Sequence, residues 1–170
     1  MNKEIKITRN WLRFFIFSVF ISGITAIPVE RELTYIIAHF PFEGTIKGFL
    51  EQVLIGIRHT SEDYPFLFYG YDWLAFAHIV LAILFIGPLR DPVKNKWVIQ
   101  FGVIACILII PFALVMGGFR DMPFWWRLVD CSFGVIGLIP LIICLRNIKK
   151  LELEEKAESE KKEAFDLLIV

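Results

Sequence analysis

Residues 123–146 read PFWWRLVDCSFGVIGLIPLIICLR. As a helix this stretch is about 36 Å long at roughly 1.5 Å per residue, enough to cross the ~30 Å hydrocarbon core of a bilayer. Arg127 and Asp130 fall inside its first two turns. A charge at such a position costs roughly 2.5–3.5 kcal/mol or more in lipid, so both side chains should face other helices or a wet cavity. The rest of the chain is read by asking what surrounds that pair.

Composition places the chain in a membrane. Of its 170 residues 56% are hydrophobic, above the range of ordinary soluble domains. The 17 phenylalanines and five tryptophans suit lipid-facing surfaces and interfacial belts. Lys plus Arg equals Asp plus Glu at 18 each, so no basic excess exists to neutralise phosphates, and a nucleic-acid surface is excluded. Cys106, Cys131 and Cys144 lie in apolar runs without a C-x-x-C, which reads as small buried residues and not as a disulfide framework or zinc site.

The chain begins with a basic segment carrying Lys3, Lys6, Arg9 and Arg13. A first span is expected over about residues 11–28, just long enough at roughly 27 Å. A cleaved signal peptide is the alternative, but a cut after Ala26 would put Ile24, not a small residue, three positions before it, so the helix is read as retained. Ser18, Ser22 and Ala26 recur every four residues and suggest a small-residue packing stripe. Residues 29–70 form an outer-side segment with two short amphipathic helices. In the first, Leu33, Ile36, Ile37 and Phe40 share a face before Pro41. In the second, residues 45–59, the apolar face is Ile46, Phe49, Leu50, Val53, Leu54 and Ile57, suited to cap the bundle. The aromatic stretch 64–73 then leads back into the membrane at headgroup level.

Three further spans follow over about residues 71–89, 97–116 and 123–146, with Pro111 expected to kink the third. Residues 1–147 thus read as an all-α integral membrane domain of four transmembrane helices, and 148–170 as a charged tail, solvated helix or disordered, that ends in the apolar Leu167 to Val170. Basic residues concentrate in the N-terminal segment, in the loop with Arg90, Lys94 and Lys96, and at Arg146, Lys149 and Lys150. The positive-inside rule then gives N-in, C-in in a bacterial cytoplasmic membrane.

His78, Arg127 and Asp130 all lie about 10 Å below the outer surface on that topology, at roughly 1.5 Å per residue. They form the candidate ligand-binding cluster, with Asp72, Arg120 and Asp121 as its rim. Equally, Arg127 and Asp130 can pair with each other to fix helix register while His78 donates to a backbone carbonyl. No catalytic residue or metal site is expected, because no nucleophile-elbow, zinc-protease or phosphate-loop pattern occurs. Haem ligation lacks a second intramembrane histidine, and His39 with His59 matches no metal signature. No cofactor follows from the residues. The favoured function is a non-enzymatic accessory or assembly component, with the lipid bilayer and other membrane proteins or a second copy of itself as partners. The alternatives are a binder of a quinone or lipid in the outer-leaflet pocket, and a small oligomeric proton-coupled transporter.

Overall fold

The computed structural model describes residues 3–169, and their side chains as far as residue 162. Among the described residues the chain forms seven helices and no strand: α1 (Lys3–Ala26), α2 (Val29–His39), α3 (Gly44–Asp63), α4 (Pro65–Leu84), α5 (Ile86–Arg90), α6 (Lys96–Phe119) and α7 (Phe124–Ile169). Helices satisfy their backbone groups internally, which is what a bilayer demands. Three segments are long and apolar enough to cross one: Pro65–Arg90, Lys96–Phe119 and Phe124–Lys162. The first expected span does not reach that mark by itself. α1 does so only together with α2, from which it is bent by 93°. The bend follows from Pro28, which has no N–H to continue the α1 ladder and disfavours helical backbone at Ile27.

The helix bounds differ from the apolar runs in the sequence, each time for a local reason. The second span begins at Pro65, six residues before the expected position, so the aromatic lead-in is itself helical. Pro65 opens the helix where an N–H would be orphaned in any case, and Tyr64 alone separates it from α3. α7 runs unbroken for 46 residues from the apolar run through the charged stretch. The side chains of Leu167 to Val170 lie outside the described residues.

The chain divides into two units, one of Met1–Ile16 with Ile83–Val170 and one of Phe17–Ala82. In the first, α6 and α7 meet along glycines. A Cβ on Gly134 would lie 2.5 Å from the Cys106 carbonyl oxygen, and one on Gly137 2.8 Å from Cys106 Sγ. A Cβ on Gly102 would meet Phe85 at 2.7 Å and Leu141 at 2.9 Å. Where surrounding lipid is as apolar as the helices, such close backbone approach supplies the dispersion contacts that hold them together. The start of α1 packs on this pair: Cys144 Sγ donates to the Thr8 carbonyl at 3.6 Å, and Phe15 reaches Gly137 and meets Phe85 with tilted rings, centroids 4.7 Å apart. Seven residues of α1 therefore advance against seven of α7 in the opposite sense. Thr8, Leu12, Ile99, Leu141, Cys144 and Ile148 are fully buried here.

The basic end of this unit is tied by polar contacts. Arg9 Nη2 donates to the Arg90 carbonyl at 3.0 Å, and Lys96 Nζ reaches both oxygens of Glu152 at 2.7 and 2.6 Å. The loop between α5 and α6 closes on itself. Asn95 Nδ2 donates to the carbonyls of Gly87 and Asp91, and Asp91 Oδ1 accepts the Lys94 N–H at 3.0 Å, which holds the Asp91 carboxyl below its ordinary range.

In the second unit the close approach is made by Gly23, and not by the Ser18–Ser22–Ala26 stripe. A Cβ on Gly23 would lie 2.8 Å from the Ala75 carbonyl oxygen and 3.0 Å from His78 Cβ, whereas Ser18 and Ser22 are exposed. Ala75 and Ala82 are buried on α4. On α3, Leu50 and Leu54 are buried and Phe49, Val53 and Ile57 half-buried, while Lys47, Glu51, Gln52 and Arg58 are exposed. Arg58 ties α3 to α2, donating to Glu30 Oε1 at 2.9 Å and to Thr34 Oγ1 at 3.3 Å.

Candidate functional site

His78 and Asp72 belong to the second unit. His78 Nδ1 lies 2.9 Å from the Leu74 carbonyl one turn earlier on α4. A carbonyl only accepts, so Nδ1 carries the hydrogen of this contact. The imidazole is exposed, with its Cβ against Gly23. Asp72 is half-buried nearer the start of the same helix. The two remaining histidines are engaged locally. His39 Nδ1 donates to the Tyr35 carbonyl and its ring stacks on Tyr35, and His59 meets Asp63 one turn on. Among the described residues, no three His, Cys, Asp or Glu side chains gather as a metal-binding group.

Arg120, Asp121, Arg127 and Asp130 belong to the first unit, and the α6–α7 turn organises them. α6 ends at Phe119 and two paired hydrogen bonds close it, from Asp121 N to Gly118 O at 3.2 Å and from Met122 N to Gly117 O at 2.9 Å. That pair is the Schellman arrangement, which places residue 121 in left-handed backbone. Asp121 accordingly has φ 54°, the one positive φ outside glycine among the described residues. Pro123 immediately precedes α7, its carbonyl accepting from the N–H groups of Trp126 and Arg127.

Arg127 folds back over this turn. Its Nε donates to the Met122 carbonyl at 2.8 Å. Its stem lies across the last turn of α6, where a Cβ on Gly117 would meet Arg127 Cγ at 2.8 Å and Cδ at 3.0 Å, and one on Gly118 would meet Nη1 at 3.4 Å. Asp130, half-buried one turn further along α7, makes no ion pair with it. The register-fixing pair that the i, i+3 spacing suggested is thus not formed, because Arg127 is drawn toward the helix start by Met122 while Asp130 lies on the next turn. Trp125 and Trp126 immediately precede the arginine, their rings edge-to-face with centroids 5.5 Å apart.

Sequence reading missed the glycine seat. Gly117 and Gly118 look like turn residues, yet they form the last turn of α6 and make room for an arginine ten residues on. The signal available was a Gly-Gly pair separated from an arginine inside an apolar run by one proline-stopped turn. The Lys96–Glu152 pair, by contrast, left no local trace, since 56 residues separate its members. Compared with known proteins, the chain matches no family, no curated protein and no solved structure.

Proposed function

We propose that this protein is an accessory or assembly component of a membrane, binding another membrane protein through the extension of α7. The observation that carries this reading is the continuity of α7. The helix leaves the glycine-packed seam, is clamped by Lys96 and Glu152, and continues with its described side chains exposed from Leu153 to Lys162. An extended helix joined rigidly to a membrane bundle offers a partner a charged surface with little ordering cost on binding.

The reading includes a topology of four spans, N-in and C-in, in a bacterial cytoplasmic membrane, with α2 and α3 on the outer side. Two features support it. The antiparallel packing of Thr8 and Phe15 of α1 on Cys144 and Gly137 of α7 lets α1 run alongside a candidate span. The Arg9–Arg90 and Lys96–Glu152 contacts gather all three basic segments at one end of their unit, the pattern of a cytoplasmic face.

Photo-crosslinking tests the partner role. A crosslinker placed singly at positions 155, 158 and 161 in native membranes should yield a discrete adduct from one side of the helix, and removal of residues 153–170 should abolish partner capture while insertion persists. Uniform absence of adducts, or full capture by the truncated chain, would sink the proposal.

A further inference from the structure

The α6–α7 turn holds a guanidinium whose charge the chain does not meet. Of the five N–H donors of Arg127, one is spent on the Met122 carbonyl; the terminal nitrogens have no partner among the described residues. Asp130 lies close in sequence on the same face and still does not pair with it. The side chain is nevertheless fixed, pinned at Nε and laid on the bare backbone of Gly117 and Gly118. A half-buried arginine held in one rotamer with its fork open is set up for an oxyanion, because part of the entropy cost of ordering it is already met.

The geometry points to a phosphate group, carried by a lipid headgroup, as the partner of Arg127. Phosphate oxygens match the planar fork two at a time, which a lone carbonyl or hydroxyl does not. The site lies in the first turn of α7, where the helix dipole favours negative charge. It lies at the end of the first unit opposite Lys96 and Glu152, and Trp125 and Trp126, residue types favoured at headgroup level, precede it in the same turn. This narrows the ligand-binding alternative to a chemical class and does not depend on the accessory role, since deleting the α7 extension leaves Arg127 and its seat in place.

Native mass spectrometry of the full-length protein in mild detergent tests the site, with phosphatidylglycerol, diacylglycerol of the same chains, and inorganic phosphate as probes. Wild type should retain phosphatidylglycerol and not diacylglycerol, and inorganic phosphate alone should not displace the lipid. Arg127→Gln should lower lipid occupancy about tenfold or more, the worth of a charge-assisted bidentate pair. Arg127→Lys keeps the charge without the fork and should lose about severalfold. Gly117→Ala leaves every charge in place but displaces the arginine stem, and should also reduce retention; Arg120→Gln should not. Wild-type retention by Arg127→Gln, equal loss in Arg120→Gln, equal binding of diacylglycerol, or displacement by free phosphate would each overturn the inference.

Discussion

Asp121 shows how much a single backbone angle can decide. The turn that starts α7 requires left-handed backbone at this position, and aspartate adopts it at a cost that glycine does not bear. Asp121→Gly should therefore raise stability by roughly 0.5–1 kcal/mol, the left-handed penalty less the added freedom of the unfolded glycine. Thermal unfolding in detergent checks this, and a lower midpoint would mean that the Asp121 side chain contributes more than its backbone costs. The sequence places 121 between two expected spans but does not reveal the handedness of its backbone, because the pattern lacks the usual glycine. Arg127 was legible as a residue that could not face lipid. Its actual partners, Met122 behind it and Gly117 and Gly118 beneath it, were not, since spacing along one helix says nothing about a side chain folded back over a turn.

Among the helices, glycines divide into two kinds that composition alone does not distinguish. Gly134 is a contact: an added methyl meets the Cys106 carbonyl at 2.5 Å, and rigid backbone cannot yield as a side-chain tip can. Gly134→Ala should cost about 1–3 kcal/mol by overpacking the α6–α7 seam. Gly48, inside α3, meets nothing within 4 Å, and Gly48→Ala should stabilise its helix by up to about 1 kcal/mol. Opposite signs in a pair of unfolding titrations would establish the distinction; destabilisation by both would mean that α3 is covered where Gly48 lies. The apolar runs made the three long segments readable, and Pro28 marked the end of α1, whereas the helix start at Pro65 was read six residues too late. Helix extents were harder to read. Alternating Glu and Lys after Arg146 suit both a solvated helix and a disordered tail, and only the nonlocal Lys96–Glu152 clamp favours the first.

For the whole molecule the decisive quantity is parity. If α1 crosses the bilayer, the count of spans is even and both termini share a side; if only the three long segments cross, the termini lie on opposite sides. Single cysteines at positions 3 and 161, in a background freed of native cysteines, should both resist an impermeant thiol reagent applied from outside. Labelling of position 3 alone would remove α1 from the membrane and with it the four-span topology. α7 imposes a further condition on anything that meets the protein at its far end. Successive residues turn by about 100°, so the azimuth of Glu158 is dictated by that of Gly134 in the seam. One residue inserted beyond Glu152 would swing the distal surface by about 100° without disturbing the bundle, whereas seven would return it to within about 20°. The helix acts as a shaft, and the direction in which its outer end faces is keyed by the glycines at its root.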